Sequence, residues 1–208
     1  MYRKYFKRCI DLICSMIGFI VLSPFFLVIY IILLFTNNGK PLFYQKRPGK
    51  DEQVFHIMKF KTMTDAKDKD GKLLPDEERL TALGDFMRRT SLDEIPQLLN
   101  VIKGDMSLVG PRPLRVHYLP YYSKAESIRH TVRPGITGLA QVSGRNSLNW
   151  DDKLAFDIKY VENITFLNDL MILLKTVRKV FKTSDKDIFV DLQMDSLDTY
   201  RKRKSQIN

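Results

Sequence analysis

The sequence has few of the residues that usually build metal centres and redox sites. Its 208 residues include only two cysteines, Cys9 and Cys14, and their spacing matches no zinc or redox motif. The three histidines, His56, His117 and His130, are scattered without metal-ligand spacing, so structural or surface roles are expected for them. The cysteines are interpreted as reduced, buried small hydrophobic residues in a protein exposed to the cytoplasm.

Common catalytic signatures are absent as well. There is no Walker phosphate loop, no dinucleotide-binding G-x-G-x-x-G and no serine-hydrolase elbow. The chain also lacks internal repeats, low-complexity tracts and any stretch typical of an interdomain linker. One folded domain is therefore expected at this length, with chemistry that depends on none of those signatures.

Charged residues are absent between Leu12 and Asn38. The apolar part of this segment, which ends at about Phe35, is long enough to cross a bilayer and too long for a cleaved signal peptide. Ser23-Pro24 lies at its midpoint, where proline removes a backbone donor and kinks or breaks a helix. Two interpretations remain open: a single kinked transmembrane helix, and a helix-break-helix that enters and leaves the same leaflet.

Basic residues flank the apolar segment on both sides and gather again at the C-terminus. The positive-inside tendency would place both flanks on the cytoplasmic side, which favours the re-entrant arrangement. Most of the formal net charge of +10 lies at the two chain ends, whereas nucleic-acid binders more often spread basic residues over a folded face. Membrane lipids are therefore the expected partners and nucleic acid is not, although the C-terminal cluster could equally be a solubilising tail. The flanking residues are Arg3, Lys4, Lys7 and Arg8 before the segment, and Lys40, Lys46, Arg47 and Lys50 after it.

The remaining pattern predicts a mainly helical α+β protein with a few short strands. A strand pair with a turn is predicted at 42–46 and 54–60, and a further short strand at 139–142. Helices are predicted at 77–89, 92–102, 115–130, 150–161 and 165–183. The last of these has an apolar face opposite a basic face, so it either packs on the core or lies in a membrane interface.

An acidic pair follows a serine at the predicted start of one helix. Ser91 and Glu94 have the S-x-x-E spacing of a capping box, and Pro96 also fits a helix start. Asp93 and Glu94 would then lie in the first turn, where the helix dipole favours ionised carboxylates. A fixed, ionised aspartate is a competent metal ligand or a nucleophile toward phosphorus. The structural alternative is that acids after a serine cap are routine features of helix starts.

Basic side chains are predicted to surround this pair and to bind phosphate. Three arginines adjoin proline or glycine, and glycine lets backbone N–H groups approach a phosphate closely. Guanidinium groups suit a multidentate anion, although any one of these residues could also be an exposed surface charge. The basic candidates are Lys59, Lys61, Arg88, Arg89, Arg112, Arg133 and Arg145.

Eight short motifs run along the chain: Ser23-Pro24, QKRPG at 45–49, KFKTM at 59–63, SLDE at 91–94, PQLLNV at 96–101, KGDMSLVGPRP at 103–113, VRPGITG at 132–138 and Gly144-Arg145. With these motifs, in this order, the chain resembles the small bacterial sugar transferases known as monotopic phosphoglycosyl transferases. The resemblance covers nearly the whole chain and is to the minimal members that consist of the catalytic domain only.

The resemblance implies a magnesium-dependent enzyme, a phosphoglycosyl transferase of the EC 2.7.8 type. Asp93 would attack the sugar-bearing phosphate of a UDP-sugar, giving UMP and a phosphosugar-aspartyl intermediate. Polyprenyl (undecaprenyl) phosphate would then accept the phosphosugar. Asp93 would bind the metal, with Glu94 assisting metal binding and acceptor activation. Positions around the phosphates or nucleotide would be Lys59, Arg88, Arg112 and Arg145, and Arg133 joins them from its own Pro-Gly context.

The resemblance also implies a location, the cytoplasmic face of the bacterial inner membrane. Residues 1–40 would form a re-entrant anchor that breaks at Ser23-Pro24, residues 41–185 a cytosolic catalytic domain at the interface, and residues 186–208 a tail. The product would start a capsule, exopolysaccharide, O-antigen or glycoprotein glycan, and a homodimer is compatible with this arrangement.

The donor and the reaction have alternatives. The short form favours an N-acetylated UDP-sugar, and UDP-glucose or UDP-galactose is the alternative within the same reaction. A non-catalytic membrane adaptor for an anionic ligand, and a hydrolase that uses water as the acceptor, are the competing functions. An adaptor would tolerate replacement of Asp93, and a hydrolase would release UMP without forming a lipid product.

Overall fold

The computed structural model of the protein describes residues 1–144, 148–180 and 196–207. As predicted, most of it is helical, and the strands are short. The helices are α1 (Lys7–Thr36), α2 (Asp76–Arg79), α3 (Ala82–Arg89), α4 (Gln97–Lys103), α5 (Leu139–Ser143), α6 (Trp150–Glu162), α7 (Phe166–Val180) and α8 (Leu197–Ile207). The strands are β1 (Leu42–Pro48), β2 (Val54–Phe60), β3 (Ser107–Val109) and β4 (Gly135–Thr137).

Helix α1 packs one stripe of its surface against the rest of the protein. Asp11, Ser15, Ile29 and Leu33 are buried there, at helical spacing. The other sides are apolar and exposed, and the helical stretch is long and apolar enough to cross a membrane. The exposed residues include Ile13, Met16, Ile17, Ile20, Val21, Phe25, Val28, Ile31, Ile32 and Phe35. Cys9 and Cys14 are exposed as well, so the prediction that they are buried was wrong, because both lie off the buried stripe of the helix.

Both ends of this N-terminal segment bond to the same folded body. Near the start, the Tyr2 hydroxyl donates to Asp169 Oδ2 at 2.7 Å. Just beyond the end of α1, Asn37 Nδ2 donates to the Lys61 carbonyl at 2.9 Å. Helix α1 is about 45 Å long at 1.5 Å per residue. The helix therefore lies along the body instead of projecting away from it.

Helix α1 continues through the Ser23-Pro24 pair, so the break in the helix that was predicted at this pair is wrong. Pro24 has no N–H for the carbonyl of Ile20, four residues earlier, and Ser23 Oγ donates to that carbonyl at 2.7 Å. The serine thus supplies the hydrogen bond that the proline removes, as the sequence suggested. Entry and exit through one leaflet stays a prediction.

The two sheets differ in strand direction and in how far apart their strands lie in the sequence. Strands β1 and β2 form the predicted antiparallel hairpin, with Leu42 opposite Phe60, so that prediction is confirmed. Strands β3 and β4 pair in parallel, with Ser107 opposite Gly135, inside two segments where neither strand nor helix was predicted. Three-residue strands carry little sequence signal, and their pairing joins parts of the chain far apart in sequence.

Several predicted elements are wrong or are divided. The 139–142 strand is helix α5, because a short apolar run does not distinguish strand from helix. The 115–130 helix is two 3₁₀ helices, Val116–Tyr121 with Pro120 inside it, and Glu126–Thr131. The 77–89 helix is divided into α2 and α3, and the 92–102 helix into a 3₁₀ turn and α4. Helices α6 and α7 confirm the predictions at 150–161 and 165–183 as far as Val180.

A core cluster under α1 fixes the two sides of the acidic pair. Ile29 and Leu33 of α1 pack with Phe60 at the end of β2 and with Ile95. Phe60 lies between Lys59 and Lys61 in sequence, and Ile95 directly follows Glu94. Burial of these apolar neighbours therefore positions the polar residues beside them.

Candidate active site

Lys59, Asp93 and Glu94 meet at the centre of the candidate site. Lys59 Nζ lies 3.2 Å from Asp93 Oδ2 and 2.7 Å from Glu94 Oε1. The three side chains are 23%, 9% and 17% exposed, respectively. The sequence-based prediction of these three residues as one site is consistent with this geometry. The site is a largely enclosed pair of carboxylates that shares one ammonium group.

The predicted capping box of Ser91 and Glu94 does not position the carboxylates. Ser91 has a left-handed backbone conformation (φ 57°), and its side chain makes no capping hydrogen bond, so the prediction was wrong. Asp93 and Glu94 lie in the 3₁₀ turn Leu92–Glu94, and α4 begins only at Gln97. Because the turn is short, the carboxylates depend on Lys59 and the arginines for charge compensation, more than on a helix dipole.

A side chain from α4 holds the strand that carries Lys59. Asn100 is almost fully buried, and its Oδ1 accepts from the Met58 N–H at 2.9 Å while its Nδ2 donates to the His56 carbonyl at 2.9 Å. The amide thus satisfies the free edge of β2 in place of a neighbouring strand. Asn100 belongs to the motif at 96–101, and no role was predicted for it. Its signal is an asparagine, a weak helix former, inside a helix.

Burial and basic neighbours act in opposite directions on the two carboxyl groups. Burial raises the pKa of Asp93, with Glu94 adding to the rise and Lys59 opposing it. Burial also opposes ionisation of Glu94, but Lys59 and Arg112 outweigh it and lower the pKa of Glu94 to about 2. Glu94 is therefore the carboxylate of the pair that Lys59 and Arg112 keep ionised. Asp93 is enclosed, and the basic groups around it do not fully offset the effect of its burial.

Arg88 is held near the pair from one side. Its Nε donates to Thr62 Oγ1 at 3.0 Å, and the charge of Arg88 lowers the pKa of Asp93 after the larger effects of burial and Lys59. Helix α3 approaches Thr62 closely because Gly84 faces it. A Cβ on Gly84 would lie 2.0 Å from the Thr62 carbonyl oxygen. Gly84 and the motif residue Thr62 therefore position the arginine.

Arg112 contacts Glu94, the other carboxylate of the pair. Its Nη2 lies 3.3 Å from Glu94 Oε1, and its side chain is 44% exposed. The backbone of this loop is fixed by Arg129, whose Nη2 donates to the Arg112 carbonyl at 2.6 Å. Arg129 is itself paired with Asp157 of α6. Neither residue was predicted, because neither has a local sequence signal and only the packing of α6 brings Asp157 to Arg129.

A third arginine lies close to Arg112 without having been predicted. Burial, followed by the charges of Arg112 and Arg115, lowers the pKa of Arg47 to about 10. Arg47 Nη2 donates to Gln45 Oε1 at 2.6 Å, and its buried Nε has no hydrogen-bond partner among the described residues. Arg112 and Arg115 both lie in electrostatic reach of Arg47, and such a group of guanidiniums suits an anion of more than one negative charge.

The other predicted residues are not brought to the centre by the contacts described. Arg133 Nε donates to the Gly104 carbonyl at 2.8 Å, which is a structural role. Lys61 pairs with Asp65, and Arg89 pairs with Asp85 at 2.6 Å. Arg145 lies outside the described residues. Phosphate roles for Arg133 and Arg145 stay predictions.

The carboxylate pair fits a magnesium ion only if a substrate completes the site. Within the described part of the chain, no group of three or more His, Cys, Asp or Glu residues could hold a metal ion. Asp93 and Glu94 are two adjacent carboxylates, and Mg²⁺ commonly takes one or two carboxylates together with substrate phosphates and water. These ligands are therefore suitable for Mg²⁺ bound with a diphosphate.

The comparisons with known proteins agree with the motifs. Residues 2–183 match the family model of the bacterial sugar transferases. The chain is 53% identical over 157 residues to an uncharacterised sugar transferase, EpsL, of Bacillus subtilis, covering 72% of this chain and 78% of the relative.

Two relatives have more specific names. The chain is 40% identical over 198 residues to the undecaprenyl-phosphate galactose phosphotransferase of Salmonella typhimurium, covering 86% of this chain and 41% of that protein. It is 38% identical over 187 residues to the UDP-glucose:undecaprenyl-phosphate glucose-1-phosphate transferase of Klebsiella pneumoniae, covering 85% and 40%. The aligned part therefore makes up about two fifths of each of these longer relatives.

Proposed function

The chain belongs to the bacterial sugar transferase family, and on that premise we propose that it moves a sugar phosphate from a UDP-sugar to a polyprenyl phosphate, such as undecaprenyl phosphate. The observation that carries the proposal is the enclosed Asp93 and Glu94 pair on Lys59, with Arg112 paired to Glu94 and Arg88 in electrostatic reach of Asp93. Phosphoryl transfer depends mainly on positioning and charge neutralisation, which this set supplies.

In the first proposed step, an Asp93 carboxylate oxygen attacks the sugar-bearing phosphorus of the donor. A phosphorus–oxygen bond to Asp93 forms, and the bond from that phosphorus to the oxygen that bridges the two phosphates breaks. The bonding electron pair leaves with UMP. Burial favours this role because it raises the pKa of Asp93, which makes the carboxylate more basic and less solvated. The arginines would hold the phosphates in line with the attack.

In the second proposed step, a phosphate oxygen of the polyprenyl acceptor attacks the same phosphorus. The bond to Asp93 breaks, its carboxylate is restored, and polyprenyl-diphosphate-sugar leaves. Glu94 would stay ionised, since Lys59 and Arg112 lower its pKa, and it would orient the acceptor or its metal. Magnesium, held by Asp93 with Glu94 beside it, would neutralise charge on the transferred phosphate.

We further propose that the protein is monotopic, on the cytoplasmic face of the inner membrane. Both ends of the N-terminal segment bond to the same folded body, and a helix that crossed the bilayer would carry one end away from it. Lipid would cover the exposed apolar side of α1. Tyr2 contacts Phe166 edge to face at 6.0 Å, so α7 starts beside this surface. The exposed apolar residues of α7 would lie in the same interface: Phe166, Leu167, Leu170, Met171, Leu174 and Val177.

The donor can be argued in two ways. One candidate donor is an N-acetylated UDP-sugar, as expected from the sequence. The names of the Salmonella and Klebsiella relatives favour galactose or glucose. A donor panel that contains UDP-galactose, UDP-glucose and their N-acetylated forms separates the two.

The test is UMP release from that panel by the full-length protein in lipid nanodiscs, with magnesium and with or without undecaprenyl phosphate. The wild type should release UMP and form lipid-linked product from one donor. Asp93→Asn should do neither, and Asp65→Asn, an exposed acid paired with Lys61, should behave as the wild type does. Equal activity of Asp93→Asn would overturn the nucleophile, and UMP without lipid product would identify a hydrolase.

The covalent step has its own measurement. Donor without acceptor should add the mass of one phosphosugar to the intact wild-type protein. The Asp93→Asn variant should gain no mass, and later addition of undecaprenyl phosphate should remove the added mass from the wild type. An active enzyme with no such adduct would favour direct transfer between the two substrates.

A further inference from the structure

Helix α8 lies beyond residues 2–183, the part that matches the family model. Its first residue, Leu197, is fully buried in a cluster with Tyr118, Trp150 and Leu154. Tyr118 and Trp150 contact each other edge to face at 5.6 Å. The helix is therefore docked on the folded body by an apolar contact and is not merely a charged end.

Arg201 fastens this helix to two other segments. Its Nη1 lies 3.0 Å from Asp151 Oδ1 in the first turn of α6. Its Nη2 pairs with Glu126 at the start of the 3₁₀ helix Glu126–Thr131. The Arg201 side chain is 22% exposed and that of Glu126 only 12%, so solvent screens this bridge incompletely. A planar guanidinium can hold two carboxylates at once, which an ammonium group does less well.

Two more bonds join α8 to the same acid. The Tyr200 hydroxyl donates to Asp151 Oδ2 at 2.8 Å, and Lys204 Nζ donates to that oxygen at 2.5 Å. The bond from Lys204 is the largest cause that lowers the pKa of Asp151, followed by opposing burial and the bond from Tyr200. Asp151 therefore receives three donors from one face of one helix.

The segments that α8 joins are those that carry the basic side of the site. Tyr118 follows Arg112 and Arg115 in the chain and lies in electrostatic reach of Arg47. The 3₁₀ helix that begins at Glu126 contains Arg129, which holds the Arg112 carbonyl. Asp151 lies in the first turn of α6, the helix that also carries Asp157, the partner of Arg129. Helix α8 thus contacts segments that position arginines of the candidate site, although none of those arginines lies on α8 itself.

We propose that α8 is a brace for the donor side of the site and that Arg201 is its positioning residue. The inference rests on the proposed function, because it assigns the braced arginines to the UDP-sugar phosphates. If the brace loosens, the arginines sample more orientations, and donor binding weakens before the chemical step does. The acceptor side, which faces the lipid, should be affected less.

The experiment compares full-length wild type, Arg201→Ala, Arg201→Lys and Lys202→Ala in nanodiscs. Lys202→Ala is the matched control, because Lys202 is the exposed neighbour on the same helix and its loss removes the same charge. Hydrogen exchange is followed at 112–131 and 148–155, with 42–60 as the reference segment. The donor KM, the acceptor KM and kcat are measured with the preferred UDP-sugar.

For Arg201→Ala we expect faster exchange in the two braced segments, with 42–60 unchanged. We also expect a donor KM raised about tenfold with kcat and acceptor KM nearly unchanged, which is the size of a typical coupling between contacting groups. Arg201→Lys should be intermediate, and Lys202→Ala should match the wild type.

Two results would overturn the brace. The first is that Arg201→Ala and Lys202→Ala show the same hydrogen exchange. The second is that Arg201→Ala has a lower kcat with an unchanged donor KM. A wild type that transfers nothing from any donor would count against the proposed function. Hydrogen exchange would still test the brace in that case. Faster exchange of Arg201→Ala in the two braced segments supports the brace, and unchanged exchange rejects it.

Discussion

Arg129 and Asp157 form an ion pair that is almost entirely enclosed. Arg129 Nη2 lies 2.9 Å from Asp157 Oδ2, and the two side chains are 2% and 7% exposed. Burial raises the pKa of Asp157, and Arg129 opposes that rise. Since Arg129 also binds the Arg112 carbonyl, the pair connects α6 to a residue of the candidate site.

Replacing one partner of this pair should be costly. Arg129→Met leaves the Asp157 carboxylate buried without its cation, and such changes cost about 3–5 kcal/mol. We expect a matching loss in the free energy of unfolding, measured by denaturant titration in detergent, and a raised donor KM. The double variant Arg129→Met/Asp157→Leu should be more stable than Arg129→Met, because no charge remains buried. Additive losses in the double variant would contradict the pairing.

Lys59→Met should move the acidic limb of the pH profile to higher pH. Lys59 lowers the pKa of both Asp93 and Glu94, so without it both carboxyl groups take up protons at higher pH. The measurement is kcat/KM as a function of pH. We also expect Lys59→Met to lose much of its activity at every pH. Lys61→Met is the control, since Lys61 pairs with Asp65, and its acidic limb should not move. An unmoved limb in Lys59→Met would count against the role of Lys59.

Gly84→Ala should disturb Arg88 without removing any polar group. The added methyl would lie 2.0 Å from the Thr62 carbonyl oxygen, so α3 and the end of β2 must separate. Overpacking of this kind costs about 1–3 kcal/mol, and it should weaken the hydrogen bond between Thr62 and Arg88. We expect a lower melting temperature and a raised donor KM. Ala82→Ser, at an exposed position of the same helix, should leave both near the wild-type values.

His130 should make the protein sensitive to acid. Burial, followed by the charge of Arg129, lowers the pKa of His130 to about 4 from an ordinary value of 6.5. Between those values the unfolded chain binds a proton that the folded protein does not, so stability falls as pH decreases from 6.5 to 4. The loss from this residue is at most about 3 kcal/mol.

The matched variant is His130→Phe, which keeps a ring beside Tyr122, whose centroid lies 5.3 Å from that of His130. Its unfolding free energy should change less between pH 6.5 and pH 4 than that of the wild type. A wild type and variant with the same slope over this range would show that His130 does not titrate there.

The sequence by itself determined the elements that depend on local pattern. The apolar segment, the β1–β2 hairpin, α6 and α7 follow from periodicity and turn residues, which act over a few neighbouring positions. The motif residues Lys59, Asp93 and Glu94 were identified because an acidic pair and a lysine have distinct chemistry wherever they lie. Family membership rested on the order of such motifs.

Tertiary structure decided the features that require distant residues to meet. Strands β3 and β4 exist only as partners of each other, and Arg129 gains its role only because α6 brings Asp157 to it. The capping box failed for a related reason, since packing of Ile95 in the core favours a 3₁₀ turn there over a longer helix. Sequence patterns report local preference, whereas long-range burial and pairing select among the conformations that local preference allows.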